Sequence, residues 1–181
     1  MQVKNTSKNY GAIAKSFHWL VGALIIAAWG VGFYATELPQ NDTAKFALFD
    51  LHKSVGMVIL MLVIACLSWR LYDTVPRTPS TLSKLQALLA HAVHYLLYVF
   101  MFIQPISGWA MSSAAGYNPS FFGLFTFPAL VTKNPSMVEF YVDIHNTSAY
   151  IMLILFVLHV AGALFHHLVL KDDTLKRITF N

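Results

Sequence analysis

Residues 144–170 read IHNTSAYIMLILFVLHVAGALFHHLVL, an apolar stretch in which His145 and His159 lie fourteen residues apart. In a helix that supercoils with its neighbours, fourteen residues complete about four turns, so both histidines lie on one face. At a rise of ~1.5 Å per residue they are ~21 Å apart along the axis, which places them at two depths of a bilayer. Because ionisable side chains are costly inside a membrane, the repeated histidine predicts a functional site at each depth.

The composition predicts an integral membrane protein, because 57% of the residues are hydrophobic and only 11% are charged. Four apolar stretches are long enough to cross a bilayer, at residues 14–34, 51–72, 88–111 and 144–170. We therefore predict an all-α, up-down-up-down four-helix bundle that forms one transmembrane domain over residues 1–181. The first stretch contains His18 and no convincing small-residue cleavage site, so we expect a span and not a removed signal peptide.

Lysine and arginine are distributed unevenly about these spans. Nine lie on the side that holds both termini: Lys4, Lys8, Lys15, Arg70, Arg77, Lys84, Lys171, Lys176 and Arg177. Three lie on the other side: Lys45, Lys53 and Lys133. Because positive residues are retained in the cytoplasm, both termini are predicted to be cytoplasmic. The pI near 9.2 then reflects membrane orientation and not nucleic-acid binding.

Cysteine usage excludes two kinds of redox chemistry. The chain has one cysteine, Cys66, so an internal disulfide and a dithiol site are both excluded. No Cys-x-x-Cys-His stretch occurs, which excludes covalent c-type haem. A non-covalent haem needs no cysteine.

Depth pairs histidines from different spans. His52 opens the second span and His145 opens the fourth, so both are predicted near the external surface. His18 begins the first span, and His159 lies toward the cytoplasmic half of the fourth. Two imidazoles from facing helices give haem iron a six-coordinate centre suited to electron transfer. The sequence therefore favours two stacked haem sites.

A second histidine competes for the cytoplasmic site. His166 lies seven residues beyond His159 on the same face, and its depth matches that of His18 at least as well. Spacing does not distinguish His159 from His166. In the alternative interpretation, His166 and His167 form an interfacial pair beside Lys171, with side chains that reach water.

The third span begins with two further histidines, His91 and His94, three residues apart. A metal site there would need carboxylate or thiolate ligands, and none lies nearby in the sequence. An interfacial position is favoured for His91. For His94, an interfacial position and a functional position are both consistent with the sequence.

Small residues follow three of the histidines on the same helical face. They are Gly22, Gly56, Gly162 and Ala163, each three or four residues after a histidine. A macrocycle needs close approach to the backbone, so these residues support cofactor packing. Glycine is also frequent in membrane helices without any such role.

Two connecting segments differ in character. Residues 73–83 contain Pro76 and Pro79 among Ser and Thr, which ends the second span and predicts a tight return. The segment from Ser112 to Asp143 combines Gly and Pro with aromatic residues that include Phe121, Phe122, Phe125, Phe127, Phe140 and Tyr141. It is predicted to be an aromatic lid at the bilayer surface, or an ordinary aromatic anchor belt.

Several motifs together resemble the bacterial cytochrome b561 family, which is related to the cytochrome b subunits of nickel-iron hydrogenases. They are SFHWL at 16–20, HKSVG at 52–56, HAVHYLLY at 91–98, QPISG at 104–108 and HHLVLKDDTL at 166–175, with His145 and His159. The likeness covers essentially the whole chain.

The resemblance implies a bundle with two non-covalent haem b groups. The implied axial ligands are His18 with His159 on the cytoplasmic side, and His52 with His145 on the periplasmic side. The family pattern therefore selects His159 over His166.

The resemblance also implies a quinone near the cytoplasmic haem, at the positions of Ser16 and His94. Both are polar groups near one membrane edge, which suits them to hold a quinone carbonyl or to move its proton.

Members of this family pass electrons between quinone and a periplasmic donor, or anchor a larger dehydrogenase, and some are reported to oxidise superoxide. We therefore predict a bacterial inner-membrane oxidoreductase that moves electrons between a periplasmic donor, such as superoxide, and membrane ubiquinone. One alternative is a cytochrome b anchor that passes electrons from a partner dehydrogenase or hydrogenase to quinone. The other is a haem-free transporter whose histidines relay protons. Expected partners are lipid, quinone, a small-molecule or protein donor, and a second copy of the chain or a redox subunit.

An anionic donor favours a positive external entrance, for which Lys53 beside His52 is the candidate, with Lys45 and Lys133. Acidic residues lie on the same side: Glu37, Asp42, Asp50, Glu139 and Asp143. In the alternative interpretation, these lysines are ordinary solvated side chains.

Overall fold

The computed structural model describes residues 2–77 and 82–180. The main elements are α1 (Ala12–Glu37), α2 (Thr43–Tyr72), α3 (Lys84–Ala115), β1 (Ser120–Phe121), β2 (Phe125–Thr126) and α4 (Val138–Phe165). A 3₁₀ turn, Pro135–Met137, precedes α4, and a π-helical turn, His166–Leu170, follows it. The predicted tight return between α2 and α3 depends on residues 78–81, which lie outside the described residues.

Four helical segments of the described chain are long and apolar enough to cross a membrane. Large apolar side chains point outward along them, such as Leu88 (64% exposed) and Ile154 (61% exposed). A soluble protein of this size would bury such residues, whereas a membrane protein exposes them to lipid. The prediction of an all-α integral membrane four-helix bundle is confirmed, with one short β-hairpin added.

Local hydrogen bonds explain where the helices begin and end. The Asp42 carboxylate accepts from the Ala44 amide at 2.8 Å and caps the start of α2. Ser83 and Gln86 form a reciprocal capping box before α3, with distances of 2.9 and 3.3 Å. Lys171 adopts a left-handed conformation, φ 52°, and ends the turn that follows α4.

The chain forms two compact units. The first contains Met1–Leu20, Ile64–Met101 and Tyr150–Asn181; the second contains Val21–Val63 and Phe102–Ala149. Each long helix begins in one unit and ends in the other, and the starting unit alternates from α1 to α4. Consecutive helices therefore run in alternate directions, as the up-down-up-down topology requires.

In the second unit, β1 and β2 form a hairpin that is fixed to α2 by Ser54. The Ser54 hydroxyl donates to the Ser120 carbonyl at 2.7 Å and accepts from the Phe122 amide at 3.1 Å. Ser54 is only 2% exposed, so this contact is buried. The aromatic segment that was predicted to form a lid thus contains this hairpin. Ser54, which holds the hairpin, lies two residues after His52 in the sequence.

Candidate functional site

His52 on α2 and His145 on α4 face each other in the second unit. Their ring centres are 6.2 Å apart, with an angle of 83° between the planes. An imidazole nitrogen binds a metal at ~2.0 Å and lies ~1.1 Å from its own ring centre, so two imidazoles on one metal have centres ~6 Å apart. The separation therefore fits a haem iron between the two rings.

The His52 ring lies against the backbone of α1. Its Nδ1–H donates to the Ala28 carbonyl at 2.9 Å, which leaves the lone pair on Nε2. A Cβ at Gly32 would lie 3.0 Å from Cε1 of the ring, so a larger residue there would force the ring to shift by a few tenths of an ångström. We call the Ala28 carbonyl and Gly32 together the His52 socket.

The His145 ring lies against α3 in the same way. Its Nδ1–H donates to the Gln104 carbonyl at 3.0 Å, and a Cβ at Gly108 would lie 2.9 Å from its Cε1. We call Gln104 and Gly108 the His145 socket. A metal-binding imidazole usually donates its other N–H to a carbonyl in this manner, which fixes its tautomer and orientation.

Both rings line a cavity of the second unit. Its lining is His52, Lys53, Gly56, Met57, Pro105, Gly108, Trp109, Met111, Pro119 and His145. Gly56 lies one turn after His52, and a Cβ there would meet no heavy atom within 4 Å. Mostly apolar walls, two imidazoles and a backbone open to close approach fit a flat, metal-containing cofactor. The added Cβ at Gly22 and Gly162 would also meet nothing within 4 Å.

The first unit brings three histidines together. The ring centres of His18 and His159 are 5.9 Å apart, close to the separation of the other pair. His94 lies edge-on to His159 at 5.0 Å, and its Nδ1 is 2.6 Å from the Ala90 carbonyl. This geometry fits a second haem iron between His18 and His159, with His94 as a neighbour.

Ser16 is not joined to this cluster by a hydrogen bond. It lies exposed on α1, two residues before His18. Within residues 2–77 and 82–180, its hydroxyl forms no hydrogen bond with the rings of His18, His94 or His159. Its proposed contact with a quinone stays a prediction.

His166 has a partner of its own. Its Nδ1 lies 2.7 Å from the Asp172 carboxylate, because the chain reverses after Lys171. Burial opposes ionisation of Asp172, but hydrogen bonds from Thr174 and His166 hold its pKa below the ordinary value. This contact does not by itself exclude a ligand role, because metal-binding imidazoles often donate Nδ1–H to a carboxylate. His159 is favoured because its ring lies 5.9 Å from the His18 ring.

The chain after α4 folds back beside His18. Trp19, whose ring lies 5.3 Å from the His18 ring, donates its indole N–H to the Ile178 carbonyl at 2.9 Å. The Lys15 ammonium donates to the Thr179 carbonyl at 2.6 Å and is 8% exposed. Sequence reasoning assigned Trp19 no role; here it helps to attach residues 178–179 to the start of α1.

The remaining histidines, His91 and His167, are exposed. In the described part of the chain, no cluster of three or more His, Cys, Asp or Glu side chains forms a separate metal-ion site.

The three external lysines differ in their surroundings. Lys45 is buried and donates to the Leu38 carbonyl at 2.8 Å, at the end of α1. The Lys133 side chain packs beside Gly116. Lys53 pairs with Asp50 at 2.8 Å and also lines the cavity with His52 and His145. Of the three, Lys53 is the one that borders the candidate site.

Sequence reasoning missed the residues that hold the imidazoles in the second unit. They are Ala28, Gly32, Gln104, Ser107, Gly108 and Ser148. A signal was present: Gln104, Ser107 and Ser148 are polar residues within long apolar helices, and such residues usually serve a buried site. The spacing of four between Gln104 and Gly108 could not reveal which ring they face.

Comparison with known proteins gives a consistent family. The model of the family described as prokaryotic cytochrome b561 matches residues 9–181. Cytochrome b561 homolog 2 of Escherichia coli (strain K12) is 33% identical, over 98% of this chain and 95% of that protein. The probable superoxide oxidase CybB of Yersinia pestis is 31% identical, over 94% of this chain and 96% of that protein. Cytochrome b561 homolog 1 of Escherichia coli (strain K12) is 27% identical, over 89% and 91% respectively.

Proposed function

Because the chain belongs to the prokaryotic cytochrome b561 family, we propose that it binds two haem b groups and transfers electrons from a periplasmic donor to ubiquinone. The family establishes the general role, a bacterial multi-pass membrane cytochrome b in electron transfer, with haem b as its cofactor. That role argues against the alternative hypothesis of a haem-free transporter. The two-haem arrangement, the donor, the quinone and the inner-membrane orientation are our proposals.

The observation that carries the proposal is the presence of two histidine pairs with nearly equal ring separations, 5.9 and 6.2 Å. We assign His18 and His159 to a cytoplasmic haem, and His52 and His145 to a periplasmic haem. Each haem supplies a one-electron carrier when bound. The protein contributes the ligands, their orientation and an apolar surround that limits access by water.

The overall reaction balances with superoxide as the donor. Two superoxide anions each lose one electron and become O₂, while ubiquinone gains two electrons and two protons and becomes ubiquinol. Two one-electron centres match this two-electron acceptor. We assign the protons to the cytoplasmic side and their transfer to His94.

The quinone site is proposed beside His94 and Ser16. Because the Nδ1 of His94 lies against the Ala90 carbonyl, its Nε2 is free to take up a proton and pass it to a quinone oxygen. A hydroxyl at Ser16 would hold the second polar contact.

We predict that chemically reduced protein is reoxidised by a soluble ubiquinone analogue, and that His94→Ala slows this step by about 10- to 100-fold. Stopped-flow absorbance of the haem bands measures the rate. His91→Ala is the matched control, since His91 is exposed on the same helix. If reduced wild-type protein is not reoxidised, the quinone part of the proposal is wrong.

Superoxide is proposed as the donor because a relative that aligns over 94% of this chain is named as a probable superoxide oxidase, and because Lys53 lies at the second-unit cavity. A cation beside the electron-accepting site attracts an anionic donor and raises its local concentration. Asp50 partly offsets this charge, so we expect a moderate effect.

Lys53→Gln is expected to lower the rate of haem reduction by superoxide about 3- to 10-fold at low ionic strength. The difference should shrink as salt screens the charge. Lys133→Gln is the matched control, because this substitution removes the same charge from a residue that does not line the cavity. Equal rates for wild type and Lys53→Gln at low salt would argue against this entrance.

A further inference from the structure

Three polar side chains surround His145 in the second unit: Gln104, Ser107 and Ser148. Ser107 is 5% exposed and Ser148 is 3% exposed. A buried polar group in an apolar helix lowers stability unless it is hydrogen-bonded, so each needs a partner. These three residues with His145 are called the His145 network below.

One branch of the network acts on the Nδ1 side of the ring. The Gln104 carbonyl accepts from His145 Nδ1–H at 3.0 Å and from the Ser107 hydroxyl at 3.0 Å. The Ser107 oxygen also lies 3.2 Å from Nδ1, so its lone pair shares the imidazole proton. The Ser107 hydroxyl thus strengthens the hydrogen bonding of the ring proton.

The other branch acts on the Nε2 side. The Ser148 hydroxyl donates to the side-chain oxygen of Gln104, which turns the amide NH₂ toward Nε2 of His145, 3.1 Å away. An amide N–H faces a lone pair, so Nε2 carries no proton. A haem iron would take this same lone pair, so the amide contact would be broken when iron binds. Both branches therefore select the tautomer with the proton on Nδ1 and the lone pair on Nε2.

We propose that Ser107 is a positioning residue that fixes the tautomer and direction of His145 and thereby sets the reduction potential of the haem that His145 would bind. This inference rests on the proposed ligand role of His145. A hydrogen-bonded Nδ1–H makes an imidazole a stronger donor, which favours ferric over ferrous iron and lowers the potential. The partner ring, His52, donates to a backbone carbonyl, which side-chain substitution leaves in place.

Ser107→Ala is therefore expected to raise the midpoint potential of one haem and leave the other unchanged, with two haems still bound. Redox titration followed by haem absorbance measures both potentials in the purified, haem-loaded protein. Ser68→Ala is the matched control, since the Ser68 hydroxyl also donates to a helix carbonyl, at 2.8 Å, and touches no imidazole. Introduced into His159→Ala protein, Ser107→Ala should shift the single haem that remains.

Unchanged potentials in Ser107→Ala, a downward shift, or an equal shift of both haems would overturn the role of Ser107. Fewer than two haems in the wild-type protein would instead contradict the proposed function.

Discussion

Substitution of His52 or of His159 by alanine is expected to reduce the haem content from two per chain to one. Alanine has no donor atom, and a six-coordinate iron that loses one of two axial imidazoles loses much of its binding energy. Because the two histidines belong to different pairs, each substitution should remove a different haem. The surviving haem should keep a low-spin spectrum.

The measurement is haem per chain by the pyridine haemochrome method, together with the reduced absorption spectrum. His91→Ala is the control, since His91 is an exposed histidine of α3 that we assign to neither pair. Two haems retained in both His52→Ala and His159→Ala would show that the ligand scheme is wrong.

His94 provides a sharper version of this test. Its ring is nearer to His159 than the His18 ring is, at 5.0 against 5.9 Å. Proximity alone would therefore make His94 the partner of His159. We expect His94→Ala to retain two haems and His18→Ala to retain one. The opposite result would reassign the axial ligand.

The four helices could be predicted from the sequence because apolar runs of span length leave few alternatives to membrane helices. Hydropathy did not predict where the helices begin. The second predicted span starts at residue 51, but α2 starts at Thr43, where Asp42 provides a cap. Hydropathy detects the part of a helix at hydrocarbon depth, whereas the hydrogen-bonded helix continues into polar residues. His52 is therefore the tenth residue of α2 and not its opening residue.

The competition between His159 and His166 shows what spacing omits. Both residues lie on one face of one helix, so periodicity treats them alike. The two residues differ in their partners: the His159 ring lies 5.9 Å from the His18 ring, whereas His166 Nδ1 lies 2.7 Å from the Asp172 carboxylate. That contact requires the left-handed backbone at Lys171, a conformation that is uncommon for lysine and that helical periodicity does not indicate.

The imidazole sockets were unpredictable for a similar reason. Gly32 and Gly108 belong to helices other than those of the histidines that they contact, so no spacing within one helix relates them. Sequence reasoning considered glycines beside a histidine on its own helix. The structure adds glycines that face a histidine from the neighbouring helix.

Gly108→Ala is expected to displace His145 and to reduce the content of low-spin haem from two per chain toward one. The new Cβ would lie 2.9 Å from Cε1 and 3.1 Å from Nδ1 of the ring, closer than carbon atoms pack. The ring must move, and the hydrogen bond from Nδ1 to the Gln104 carbonyl must lengthen with it. The helix itself should not suffer, because alanine stabilises a helix by ~1 kcal/mol relative to glycine.

Gly30→Ala is the matched control, because a Cβ at Gly30 would meet no heavy atom within 4 Å. Circular dichroism should show wild-type helix content in Gly108→Ala and Gly30→Ala alike, and only Gly108→Ala should lose haem. Gly32→Ala, whose Cβ would lie 3.0 Å from the His52 ring, is expected to give a weaker form of the same defect. Two low-spin haems with wild-type spectra in Gly108→Ala would show that the His145 socket does not position an axial ligand.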